Sequence, residues 1–300
     1  MTLPRPTPLT AFLVGMLGIA TFSGMDAVMK GLVLALGTYT TLLWRSFAGV
    51  AIAGSLFAAS RPAWPSRPTL KIHLTRGAVS TVMGVLFFWG LARVPLAQAI
   101  ALAFIAPLVA LFLAAWMLDE RVGARTVGAS LVAFAGVVVI VVGQAQADLG
   151  RDALIGSLAI LVSAICYAFN IILMRRQSLA AGPAEAAFFQ NLTVSALLLA
   201  ALPLLGTSVP PTAQWSWLLF AAVLSTASLL LLSWAYARAE ASYLAATEYT
   251  SFLWAALFGW LVFAETVSPY TLAGAVLIVA GCILAARRPE ECSPSLEAAA

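Results

Sequence analysis

Residues 153–174 read ALIGSLAILVSAICYAFNIILM, twenty-two positions without a charge. As a helix rising 1.5 Å per residue this stretch reaches about 33 Å, enough to cross the roughly 30 Å hydrocarbon core of a bilayer. Arg151-Asp152 precede it and Arg175-Arg176 follow it, so the charge sits at its ends. The same alternation of apolar stretch and charged break runs through all 300 residues, which are 62% hydrophobic and 9% charged. Soluble domains carry about 25% charged residues. The composition therefore excludes a water-soluble domain and predicts an all-α membrane protein.

Working outward, the apolar segments fall at 9–29, 38–59, 74–94, 96–118, 126–142, 153–174, 184–205, 215–237, 242–263 and 270–286, ten predicted transmembrane helices. The breaks are chemically sensible. Residues 61–68, RPAWPSRP, cannot continue a helix. Gly182-Pro183 and Pro210-Pro211 mark turns, and Ser268-Pro269 has the form of an N-cap followed by a first-turn proline. The first apolar stretch lacks a strongly charged lead-in and reads as a full span, not a cleavable signal.

The net charge of +4 and pI near 9.2 invite a nucleic-acid reading, but the basic residues lie between apolar segments and form no basic face. No nucleic-acid partner is expected. The basic excess reports orientation instead. Twelve Lys and Arg fall on one side (Arg5, Arg61, Arg67, Lys71, Arg76, Arg121, Arg125, Arg175, Arg176, Arg238, Arg287, Arg288) and three on the other (Lys30, Arg93, Arg151). Positive residues stay in the cytoplasm, so both termini are expected there, with the protein multi-pass in a bacterial inner membrane. Cys166, Cys282 and Cys292 have no metal-like spacing, and the first two read as packed thiols.

Shifting the chain by 145 residues superposes its halves: Trp89, Ala92 and Arg93 fall on Trp234, Ala237 and Arg238, and Glu120, Val122 and Thr126 on Glu265, Val267 and Thr271. Pro65 meets Pro210, and Lys30 meets Arg175. Ala and Leu coincide by chance in such a composition; Trp, Arg, Glu and Pro at one constant offset do not. The expected units are a first five-helix repeat, 1–148, a second, 149–294, and a vector-like tail, 295–300. Five is odd, so the second repeat enters the membrane inverted. Inverted repeats recur in secondary transporters, with the solute site near the midplane between them.

Leu42-Leu43-Trp44-Arg45-Ser46-Phe47, Pro107 with Leu118-Asp119-Glu120-Arg121, Gly128 and Gly136, and the echo Ala264-Glu265-Thr266 with Gly274 and Gly281 carry a resemblance. Over nearly its whole length the chain resembles the drug/metabolite transporter superfamily, in its EamA-type ten-helix branch, and within that the YddG-type exporters of aromatic and other amino acids. The resemblance implies export of small metabolites by alternating access, without ATP hydrolysis or any cofactor. It further implies a central cavity lined by spans 1, 3, 4, 6, 8 and 9, with spans 5 and 10 peripheral.

Charges inside a membrane cost about 2.5–3.5 kcal/mol on insertion scales and are functional candidates for that reason. Asp26 and Lys30 stand one turn apart and are expected to form an i,i+4 salt bridge or to serve an outer vestibule. Arg45 either snorkels, anchors packing or meets solute, and Gln190 stands at its repeat position. Glu248 could take up a proton, neutralise a solute ammonium or pair with Arg238. Around it Tyr243, Thr247, Thr250 and Trp254 make a stripe, with Ser251 adjoining, that suits a cavity wall. Ser163, Tyr167 and Asn170 form a second polar face, open to cavity lining or helix pairing. Ser80, Met83, Gly84 and Phe87 form a third, small and adaptable. Gln98 reads as interfacial, Asp152 and Glu185 as helix-start acids, and Glu120 and Glu265 as residues fixing hairpins to the following span.

An enzyme is not expected. His73 is the sole histidine and lies at the cytoplasmic edge, so neither an HExxH zinc site nor a buried Ser-His-Asp triad can form. No metal site and no GxxxxGK[ST] motif is present. The expected function is export of amino acids and similar small metabolites. Lipophilic or cationic drugs, nucleobases and nucleotide sugars are the alternatives.

Overall fold

A computed structural model describes residues 8–59, 64–117, 124–146, 150–236 and 247–286. Every regular element among them is a helix: α1 Pro8–Leu36, α2 Thr38–Ala59, α3 Arg67–Leu91, α4 Leu96–Ala103, α5 Ala106–Met117, α6 Ala124–Gln146, α7 Gly150–Ala180, α8 Pro183–Ala200, α9 Leu202–Leu205, α10 Thr212–Tyr236, α11 Thr250–Phe263 and α12 Pro269–Ala286. Among the described residues five helices are long and apolar enough to cross a membrane, and four shorter apolar stretches accompany them.

The helix starts follow local chemistry. Ser66 Oγ accepts from the Thr69 amide at 3.4 Å, with Pro68 in the first turn of α3. Ser268 Oγ accepts from the Thr271 amide at 3.0 Å ahead of α12, as its Ser-Pro pair predicts. Several expected bounds need correction. The span expected at 9–29 is the 29-residue α1, which runs on through the apolar residues after Lys30, and that at 153–174 the 31-residue α7, which continues through Arg151-Asp152 at its start and Arg175-Arg176-Gln177 at its end. The span at 96–118 is broken at Phe104-Ile105, where 3₁₀-type bonds such as Ile105 to Leu102 replace the α ladder. The span at 184–205 is interrupted at Ala201, ahead of Pro203.

Apart from the short α9, each helix finds its main partner across the 145-residue repeat rather than within its own half. The most extensive contacts are α6 with α12, α3 with α7, α1 with α10 and α2 with α8, and α4 meets α11. Shifted by the repeat offset, α2 falls on α8–α9 and α6 on α12, so these helices pack on their own counterparts. The α1·α10 and α3·α7 pairs exchange with one another.

Close approach at these seams depends on missing side chains. A Cβ on Gly136 would lie 2.6 Å from the Gly274 carbonyl oxygen, and one on Gly274 2.6 Å from that of Gly136. Gly90 and Gly156 make the α3·α7 crossing in the same way, with Gly90's absent Cβ 2.5 Å from the Gly156 carbonyl. Small residues that let backbones touch are the main device of helix packing in lipid, where no hydrophobic force drives helices together.

Candidate functional site: a latched end and a polar interior

At one end of the bundle α1, the α3–α4 connection and the C-terminus of α11 are tied together. Lys30, buried on α1, pairs with Glu265 and donates to the Val94 carbonyl at 2.7 Å. Glu265 Oε2 accepts from the Leu96 amide at 2.7 Å, at the first residue of α4. The chain delivers Glu265 here by a left-handed turn at Ala264 (φ 54°), closed by the Glu265 amide on the Gly259 carbonyl at 3.1 Å. Arg93 lies over the Trp89 ring at 3.5 Å beside a crevice of about 330 Å³. The expected Asp26–Lys30 bridge is not formed: Lys30 finds a carboxylate and a carbonyl across the bundle, and Asp26 faces elsewhere. Glu265 secures α1 and α4 as well as its own turn, which its reading as a hairpin residue did not foresee.

Deeper in the bundle, exposure on the wrong face reveals a void. On α7, Leu158, Val162, Ile165 and Phe169 are exposed and define the outward side. Tyr167 lies about 180° round from Leu158 at 100° per residue, yet keeps 36% of its surface accessible. On α3, Gly84 lies about 200° round from exposed Val82. It shares a face with buried Gly77, Ser80 and Phe88, and nothing lies within 4 Å of where its Cβ would stand. Inward-facing residues with room beside them line an interior cavity, not lipid.

Charged groups from three segments surround Tyr167. It lies within electrostatic reach of Arg76 on α3, Glu248 ahead of α11 and Asp26 on α1. Asp26 is 1% exposed, and neither of its carboxylate oxygens has a hydrogen-bond partner. It interacts through charge with Arg45, whose Nη1 donates to Ser225 Oγ at 3.4 Å while Nε is buried without a partner. Arg45 thus points into the protein and does not snorkel outward. Ser23 Oγ and the Trp254 indole N–H are likewise buried and unbonded.

A hydrogen-bonded ladder joins α3 to α7 and α8. His73 is fully buried, stacked on Phe189 at 4.8 Å, with Nε2 on Glu185 at 3.0 Å and Nδ1 on the Gln177 amide. Gln177 accepts from Arg76 Nη1, and Asn170 Oδ1 accepts from Arg76 Nε and from Ser80, each at 3.2 Å. Sequence reasoning placed Arg76 among the loop charges, His73 at the edge and Glu185 as a plain helix-start acid. All three are inside the α3·α7·α8 seam. The signal was present as helical spacing: His73, Arg76 and Ser80 share one side of α3, as Asn170 and Gln177 do of α7.

The expected site residues divide accordingly. Asp26, Arg45, Arg76's partners Ser80 and Asn170, Tyr167 and Glu248 come together. Ser163 pins the helices, donating to the Met83 carbonyl at 2.8 Å. Ser251 and Thr250 hydroxyls donate to the Glu248 and Thr247 carbonyls, and Tyr249 forms a turn between them, so the expected stripe does not run along one continuous helix. Thr247 is buried, Met83 and Phe87 are half-buried, and Gln98 is buried against Ser157 at 3.3 Å, not interfacial. Tyr243, Arg238 and Glu120 lie outside the described residues. If the void beside Gly84 is the solute path, Gly84→Leu should fill it and lower uptake at least about tenfold. The unfolding midpoint should stay near the parent's, since no atom lies within 4 Å of the first carbon the substitution adds. Uptake and thermal unfolding of the same preparation check this.

The sequence profile of the EamA-like transporter family matches residues 9–142 and again 154–287, both bounds displaced by the 145-residue offset. The chain is 30% identical over 278 residues to the pseudopaline exporter CntI of Pseudomonas aeruginosa, covering 92% of this chain and 95% of that one. It is 29% identical to a riboflavin transporter of Rhizobium johnstonii, over 77% of this chain and 73% of that protein. A crystal structure 21% identical in sequence superposes with a TM-score of 0.61 over 93% of this chain and 98% of that one, so the fold is shared. With its two profile matches spanning nearly the whole length, the chain belongs to the EamA-like transporter family of the drug/metabolite transporter superfamily.

Proposed function

We propose that the protein exports amino acids and similar small metabolites across the bacterial inner membrane, through ten spans arranged as two inverted five-helix repeats with both termini cytoplasmic. The reading makes it a carrier and not an enzyme. The observation that carries it is the polar interior around Tyr167, closed at one end by Lys30 and Glu265. In this orientation that end is periplasmic, so the conformation described is shut to the outside. Helices contact their counterparts across the repeat more than their neighbours within it, so the bodies that rock are the α1·α10 and α3·α7 pairs. Each carries part of the interior: Asp26 with Ser225, and Arg76 with Tyr167.

The matching exporters support movement of metabolites, and an interior with charges of both signs supports amino acids among them. Export of lipophilic cations is the second reading, favoured by two interior carboxylates, Asp26 and Glu248. The riboflavin-transporting relative favours a heteroaromatic metabolite such as a nucleobase over a nucleotide sugar, for which more converging cations would be needed. Uptake of labelled amino acids, sugars and dye cations into liposomes holding the purified protein separates these. Amino acids should accumulate, and Asn170→Ala or Trp254→Ala should lower that accumulation about tenfold, the loss of one or two hydrogen bonds to a buried ligand. Accumulation of dye cations alone would transfer the function to the second reading.

A further inference from the structure

The ladder from Glu185 to Arg76 admits one arrangement of its hydrogens. A guanidinium carries donors and no acceptor, so the Gln177 atom that faces Arg76 Nη1 is its oxygen. The Gln177 amide nitrogen therefore faces His73 Nδ1 and donates to it. A ring nitrogen that accepts carries no proton, so the proton of the imidazole is on Nε2 and is donated to Glu185 at 3.0 Å. His73 is fully buried and Gln177 is 1% exposed, so neither borrows a partner from bulk water.

Among the described side chains the charged groups facing this ring are Glu185 on α8 and Arg76 one turn along α3. From α7 it meets Gln177, while Arg176 and Lys71 are exposed. Phe189 of α8 covers one face of the ring, with Phe57 of α2 packed behind it. The last two turns of α2 hold no titratable residue.

A second proton reverses the roles. It can enter the ring only at Nδ1, where it would meet the Gln177 NH₂ donor to donor. Turning that amide over gives the new N–H an oxygen, but sets the NH₂ against Arg76 Nη1, again donor to donor. A charged His73 and the Arg76–Gln177 bond are thus mutually exclusive, and Arg76 would keep its bond to Asn170 alone. Charging the ring also turns its contact with Glu185 into a full ion pair. One proton therefore loosens α3 from α7 and tightens α3 on α8.

We propose that His73 is a pH-sensitive brake. With one ring proton, α3 and α7 move as a single body; a second ties α3 to α8 and slows transport. The effect on transport rests on the export reading, whereas the link between the ring proton and Arg76 does not.

His73 is the one histidine in the chain, so nitrogen NMR of histidine-labelled protein in nanodiscs reads its two ring nitrogens without ambiguity. At about pH 8 Nδ1 should be bare and Nε2 protonated. As acid charges the ring, the Arg76 guanidinium resonance, identified by its loss in Arg76→Lys, should shift with the same midpoint. Uptake of labelled amino acids into liposomes should fall roughly three- to tenfold across that step, the worth of one hydrogen bond in the balance between two conformations. His73→Gln still donates to Glu185 and should show no step between about pH 5 and 8. Gln177→Glu accepts from both neighbours, so its ring should hold both protons at a pH where the parent's Nδ1 is bare, and its uptake should show no step either. A proton on Nδ1 with Nε2 bare overturns the proposal, as does a ring that charges while the Arg76 resonance stays still. So does an uptake step missing from an active parent, or one that survives in either variant; a merely structural Gln177 would lower uptake and keep the step. The parent's spectrum decides the coupling even if the variants fail to fold. A parent that takes up nothing at any pH would sink the export reading, with the coupling still judged by that spectrum.

Discussion

Glu265→Lys is expected to reduce uptake at least about a hundredfold, to the level of protein-free liposomes. Lys30 would then face a second ammonium in a site where it is 4% exposed, and the Leu96 amide would lose its acceptor. Stripping a buried charge of its partner costs about 3–5 kcal/mol. Applied to one conformation of a two-state carrier, that shifts the population about 10²- to nearly 10⁴-fold away from the state closed at this end. The unfolding midpoint should fall as well. Lys30→Gln combined with Glu265→Gln separates charge from hydrogen bonding, because glutamine can still donate to the Val94 carbonyl and accept from the Leu96 amide. That pair should recover most of the midpoint and part of the uptake. Parent-like uptake by Glu265→Lys would remove the latch from the mechanism.

Gly136→Val is expected to yield no monodisperse protein at all. The added Cβ would sit 2.6 Å from the Gly274 carbonyl and 3.0 Å from the Ile278 amide nitrogen, backbone atoms that cannot swing aside. Ile140 and Ile278 fill the opposite spaces of the seam, with Ile140 Cγ1 2.4 Å from Gly274's absent Cβ, so α6 and α12 can separate only by giving up both contacts. Overpacking a core costs about 1–3 kcal/mol when side chains can move, and a backbone clash leaves no such relief. Gly128→Val on the same helix meets nothing within 4 Å and should behave as the parent does in size-exclusion chromatography. Equal elution profiles for the two variants would show that the seam is looser than drawn.

The helices were legible in the sequence because a long uncharged run has few alternatives once water is excluded. The Ser268-Pro269 start was legible for the same local reason. Pairing was not. From spacing alone, Asp26 and Lys30 one turn apart are a good ion pair, and nothing nearby announces that Glu265, 235 residues away, will take the lysine. Arg76 was misplaced because a basic residue near a helix start resembles an orientation signal; that it turns inward is decided by Asn170 and Gln177 on another helix. The stripe around Glu248 assumed a continuous helix through Tyr249, where the chain instead forms a turn. Faces of single helices carried information, and the neighbours that complete a site did not.

The pairing of α2 with α8 and of α6 with α12, each helix against the copy of itself, bears on where the protein came from. Such self-contacts arise when two copies of one repeat are related by a two-fold axis that runs through those seams. Joining the two genes end to end would preserve the seams and release each copy to diverge. The arginine at 45 and glutamine at 190, or the lone carboxylate at 26 against isoleucine at 171, are what such freedom leaves behind: a symmetric frame whose chemistry has become one-sided.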